Sequence, residues 1–142
     1  MSSIDTLFKT LRSQNRKAFM PFVTAGDPDL EFTSALLRRL VDRGSSMCEL
    51  GIPYSDPIAD GPVIQASYTR ALDAGLHVAD IFDMLAGTTP ELPAPVVTMV
   101  SYSIVYRIGR ARYVARAMAA GVAGAYVPDL PVQESDDLAK IC

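Results

Sequence analysis

The stretch Met47–Gly61, MCELGIPYSDPIADG, decides how the chain is read. It opens as a short apolar run of strand length, carries a glutamate in the middle of that run, and closes on a loop dense in Pro, Gly and Asp. Side chains alternate along a strand, so Met47, Glu49 and Gly51 share one face and Cys48, Leu50 and Ile52 the other. Leu50 and Ile52 suit a layer of helices. Glu49 then points to the opposite face, near the C-terminal end of its strand, where α/β proteins place their ligands. A carboxylate walled by apolar groups has its neutral form favoured and becomes a proton donor near neutral pH. Equally, a buried charge needs compensation, so Glu49 also reads as the structural partner of a buried Arg or of backbone amides.

On the N-terminal side, Ile4, Leu7, Phe8 and Leu11 stand at helical spacing and predict an opening helix. Ala18–Gly26 reads as a buried strand. Asp27–Gly44 reads as a helix with Asp27 or Asp29 as N-cap, Pro28 in or just before the first turn, and Gly44 as the C-terminal cap. Leu36, Leu37, Leu40 and Val41 line one face of it. On the C-terminal side, Pro62–Gly75 and His77–Gly87 read as two helical pieces, each closed by Gly. Ala94–Ser103 is a third strand, Gly109–Gly121 a further helix, Ala123–Leu130 a fourth strand, and Val132–Cys142 the start of another helix.

Strands that alternate with helices, over connections too long for hairpins, predict βα units and a parallel sheet. Buried parallel strands read as near-continuous apolar runs, as these do. The class is α/β. Four βα units fit either a small open sheet or the first half of an eightfold barrel. The last helix reaches Cys142 with no Gly, Pro or polar tail to finish it, so the expectation is one partial barrel domain over residues 1–142: an N-terminal helix plus βα units 1–4, the later units absent.

Composition narrows the function. The 142 residues are 49% hydrophobic and 20% charged, a globular profile, and 13 basic against 16 acidic residues leave a net charge of −3. That balance gives no basic footprint for nucleic acid. Cys48 and Cys142 stand far apart without metal-type spacing, so no metal site is expected and a reducing compartment fits. The first residues carry no continuous apolar core of a signal peptide, and no run approaches the roughly eighteen apolar residues of a membrane span. The expectation is a soluble, cytoplasmic protein. Dinucleotide-binding, P-loop and zinc-protease motifs do not occur in the sequence.

Beyond Glu49, the loop offers Asp56 and Asp60, which beside Pro and Gly read as turn formers or as site acids. Phe22 reads as core or as pocket wall. Tyr102 and Ser103, ending the third strand, occupy a position typical of sites but also of ordinary loop polar groups. His77 reads as a surface residue where a helix begins. Arg107, Arg110, Arg112 and Arg116 crowd the next helix and form a solvated face or, second, a partner surface.

At this point FMPFVTAGDPDLE (19–31) followed by CELGIPYSDPIADGPVIQ (48–65) closely resembles the tryptophan synthase α-subunit family. VSYS (100–103) and VPDLPVQES (127–135) fall where that family has its next two strand ends, and the similarity runs along the whole chain. The resemblance implies a TIM barrel, of which this chain holds a little over half. It implies a lyase of tryptophan biosynthesis that cleaves indole-3-glycerol phosphate to indole and glyceraldehyde 3-phosphate by a retro-aldol reaction, without metal or organic cofactor of its own. Pyridoxal phosphate would belong to the β subunit, the expected partner in an αββα tetramer. By position, Glu49 resembles the catalytic acid–base and Asp60 the carboxylate that meets the indole N–H. Phe22, Tyr102, Val100, Tyr126 and Pro128 match substrate-pocket positions. Pro53, Asp56 and Pro57, with the segment after Tyr102 and the PDLP loop, resemble the surface that meets the β subunit. The loops late in the barrel that bind the substrate phosphate would lie outside this chain. The expectation is therefore a chain inactive by itself; the alternative is a non-catalytic half-barrel that binds the β subunit or pairs with itself.

Overall fold

A computed structural model describes residues 2–142 as a single four-stranded parallel sheet in the order β1-β2-β3-β4, with the strands Phe22–Thr24, Cys48–Gly51, Val96–Met99 and Gly124–Tyr126. The helices are α1 (Ser3–Ser13), α2 (Leu30–Asp42), α3 (Pro62–Asp73), α4 (Val78–Thr88), α5 (Tyr102–Ile108), α6 (Arg110–Ala119) and α7 (Asp136–Ala139). Short 3₁₀ turns follow α4 at Thr89–Glu91 and precede α7 at Val132–Glu134. A doubly wound sheet reverses its strand order at a switch point. This one never reverses, as a barrel wall requires.

Register sets two faces. Phe22 lies beside Glu49 and Glu49 beside Val97, which lies beside Gly124; one row on, Thr24, Gly51, Met99 and Tyr126 follow each other. These residues form the inner face. The alternate residues form the outer face, where Val23, Cys48, Leu50, Val96 and Val100 are buried with Leu37 of α2, Ile81 and Leu85 of α4, and Tyr113 and Ala117 of α6. The core therefore sits between sheet and helices. Inside it, Thr98 shares a 3.1 Å hydrogen bond with the Tyr113 hydroxyl, whose ring meets Phe82 edge-on at 5.5 Å.

The elements differ from the sequence expectation mainly at their ends. The first strand is three residues, not Ala18–Gly26; before it, Phe19 is tied to Ser46 by hydrogen bonds of 2.9 and 3.2 Å outside the regular ladder, and Phe19 and Met20 are exposed. Asp29, not Asp27, caps α2 through Phe32 N–H at 2.7 Å; Asp27 instead takes a bidentate bond from Arg70 at 3.0 and 2.6 Å. Gly87 does not close α4, which runs on to Thr88, whose hydroxyl bonds back to the Met84 carbonyl. The third strand stops at Met99, and Tyr102 and Ser103 are the first residues of a helix rather than the end of a strand. Ser101 caps that helix, and Gly109, at φ 94°, separates the unexpected α5 from α6, which is the helix expected over Gly109–Gly121. A positive φ of this kind costs glycine nothing and other residues strain.

Among the described residues no helix is long and apolar enough to cross a membrane. Cys48 and Cys142 are free thiols, the first buried and the second exposed.

Candidate active site

The C-terminal ends of β1 and β2 are crossed by α3. Ser67 shares a 2.7 Å hydrogen bond with Thr24, Arg70 grips Asp27, and the Tyr68 hydroxyl lies over Gly51. Glycine at 51 is a steric requirement. A Cβ there would stand 2.4 Å from the Phe22 ring tip and 2.7 Å from the Tyr68 hydroxyl. Two residues earlier on the same face is Glu49, half-buried, its carboxylate engaged by no hydrogen bond or ion pair among the described residues. Among the described residues no Arg side chain or backbone amide partners it. Burial alone raises its carboxyl above the ordinary glutamate value.

Asp60 reaches the same region from the β2–α3 loop. That loop is held from within: Asp60 N–H donates to the Pro57 carbonyl at 3.1 Å, and Gln65 donates its side-chain amide to the Asp60 carbonyl at 2.7 Å. The Asp60 carboxyl is raised by burial first and by the neighbouring Asp129 carboxylate second. Asp129 is anchored, accepting from the Ser101 hydroxyl at 2.7 Å and from Tyr102 N–H at 2.8 Å. Three acids thus face one end of the sheet, and no basic side chain contributes to the shift of Glu49 or Asp60. Such a site is built to meet positive charge or hydrogen-bond donors.

The remaining expected residues divide into groups. Asp60, Asp56, Pro57, Val100 and Pro128 border one cleft with Tyr68. Val100 is also fully buried in the outer core, so only its edge is offered there. Phe22 stands beside Glu49 on the inner face, and Tyr126 lies on that face at the β4 edge, 56% exposed. The Tyr102 ring is turned toward Tyr106, with centroids 6.1 Å apart, and does not border the cleft. Pro53 borders a separate cavity of about 360 Å³ with Tyr54, Leu76, Ile104 and Arg107. Of the arginines, Arg107 is on α5 beside that cavity, Arg110 pairs with Asp137 at 3.1 Å, and Arg116 covers the Phe82 ring at 5.6 Å. His77 caps α4, its backbone N–H held by Asp80 at 3.1 Å, and is exposed.

Sequence reasoning missed Tyr68 and Asp129. Tyr68 lay unremarked within the helical piece Pro62–Gly75; its signal was an aromatic hydroxyl eight positions after Asp60. Asp129 lay in the stretch read as the fourth strand and its PDLP loop, and only the fold brings it to Ser101.

Comparison with known proteins agrees with this fold. The family model for the tryptophan synthase alpha chain matches residues 8–142. The tryptophan synthase alpha chain of Rhodopirellula baltica is 57% identical over 145 residues, covering 100% of this chain and 52% of its own. That of Trichormus variabilis is 49% identical over 140 residues, covering 99% and 53%. Among solved structures, the tryptophan synthase subunit alpha of Legionella pneumophila superposes with a TM-score of 0.95 at 35% identity, covering 99% of this chain and 54% of that one. A chain of the Pyrococcus furiosus tryptophan synthase complex gives 0.83 at 40% identity, covering 87% and 51%. The chain spans about half the length of the relatives it matches.

Proposed function

This chain belongs to the tryptophan synthase alpha chain family, and from that premise we propose that it supplies the acid–base half of a lyase site that splits indole-3-glycerol phosphate into indole and glyceraldehyde 3-phosphate. The observation that carries the reading is the pair of acids at one end of the sheet: Glu49, unpartnered and raised by burial, and Asp60 on a braced loop. Glu49 delivers a proton to the indole ring carbon and takes one from the glycerol hydroxyl. Asp60 faces the ring N–H as the ring becomes electron-poor. The positive charge that develops on the ring is what a cluster of carboxylates without a cation stabilises best.

In this reading Phe22, Val100, Tyr126 and Pro128 wall the ring and side chain, and Tyr102 reaches the pocket only if its ring turns from Tyr106. The chemistry runs on side chains alone, with no metal or organic cofactor in this chain, and pyridoxal phosphate belongs to the β subunit. Pro53, Asp56 and Pro57 face that subunit, in the cytoplasm, within an αββα tetramer; a tryptophan synthase complex is among the solved relatives. The phosphate-binding loops lie in later units of the barrel, so the stretch of residues 1–142 is inactive without them.

The test is a complete barrel, made by continuing this sequence with the later units of the Rhodopirellula baltica relative. Incubated with indole-3-glycerol phosphate, it should release indole and glyceraldehyde 3-phosphate in equal amounts. A folded barrel that releases neither would remove the reading.

A further inference from the structure

The Tyr68 hydroxyl is a polar group with nothing to do in the protein itself. The residue is 2% exposed, yet its hydroxyl makes no hydrogen bond among the described residues. Among the described residues no buried side-chain oxygen or nitrogen lacks a partner, so the hydroxyl is the part of Tyr68 that stays open to solvent, where a ligand can reach it. Here the atom lies over Gly51 on the inner face, and the residue borders the cleft with Asp60. Gly51 is on the strand that carries Glu49, two residues on and on the same side. A ligand oxygen that meets Glu49 from within the barrel is therefore in the neighbourhood of this hydroxyl.

We propose that Tyr68 is a catalytic residue whose O–H donates a hydrogen bond to the glycerol-chain oxygen of the substrate, the one that loses its proton to Glu49. The proposal rests on the functional reading above. When that oxygen gives up its proton, the adjacent carbon–carbon bond breaks, its electron pair returns to the electron-poor ring, and the oxygen becomes the aldehyde carbonyl. Negative charge passes through the oxygen, and a fixed donor there is worth more in the transition state than in the ground state. Tyr68 is suited to donate rather than ionise, because burial first, then Asp60 and Glu49, push its phenol above the ordinary range. The ring N–H has Asp60 and does not need Tyr68, so the two ends of the substrate are recognised by separate groups.

The experiment compares Tyr68→Phe with the unsubstituted protein in the complete barrel. The substitution removes an unpartnered oxygen and keeps the ring, so the fold is retained. We expect kcat/KM for indole-3-glycerol phosphate to fall at least about tenfold, mostly in kcat, while the affinity for indole, which lacks the chain, stays within about twofold. Unchanged kcat/KM in an active barrel overturns the proposal and leaves the function standing. Equal losses in turnover and indole affinity overturn it as well, since Tyr68 would then only pack the ring. An inactive unsubstituted barrel removes both readings.

Discussion

Glu49 is an acid that the fold isolates rather than neutralises. A carboxyl whose folded value is raised binds its proton more tightly in the native state, so it costs stability as pH rises from the ordinary carboxylate range to the raised value. Glutamine does not titrate. The stability advantage of Glu49→Gln over the natural residue should therefore grow across that window and level off above it. Urea unfolding of the complete barrel at a series of pH values checks this, and a flat difference would mean Glu49 has a partner in solution. At Gly51, alanine should cost about 1–3 kcal/mol by overpacking, and it should displace the Phe22 ring and the Tyr68 hydroxyl. Urea midpoints measure the first effect and loss of turnover the second. Glu49 and Asp60 were legible because an acid in an apolar run, followed by a Pro- and Asp-rich loop, is a pattern local in sequence. Tyr68 was not, since a ring buried in the core with its hydroxyl left open over Gly51 is a fact of three-dimensional packing.

Elements were legible in type and order, and less so at their ends. Apolar runs showed where strands pass through the core, but strand length depends on where a neighbour offers its backbone, which no single segment encodes. The split of α5 from α6 was hidden for a related reason. Gly109 reads as an ordinary helix start until the preceding helix is known to begin at Tyr102. That early start is stabilised from 27 residues away, where Asp129 takes the Tyr102 amide and the Ser101 hydroxyl. Asp129→Ala should destabilise the protein by about 1 kcal/mol, the size of a lost helix cap, whereas Asp129→Asn should cost less because its carbonyl still accepts. Both should lower the Asp60 value toward the ordinary aspartate range by removing a like charge. Urea unfolding and an NMR titration of Asp60 separate the two effects.

As a whole, the described chain is a four-stranded wall whose outer face is covered by α2, α4 and α6, while α3 and Ile4 of α1 reach inner-face residues at its edges. Its inner face holds Phe22, Val97 and Tyr126 beside the site acids, and β1 and β4 are both edge strands. Open edges beside apolar surface invite pairing with another chain. Residues 1–142 expressed alone should therefore self-associate at micromolar concentration and release no indole, as size-exclusion chromatography with light scattering and an indole assay would show; a stable monomer would contradict the first expectation. The parallel class and the partial barrel were legible from strand–helix alternation and the family's motif, because those properties repeat along the chain. The central claim is that Glu49 moves the proton. The most direct measurement is steady-state indole release by the complete barrel with Glu49 and with Glu49→Gln, at equal concentration and matched fold. We expect the substitution to lower turnover by at least about a hundredfold, the scale of general acid–base catalysis. Turnover within about threefold of the natural residue would contradict it, and the proton would have to be carried by another group.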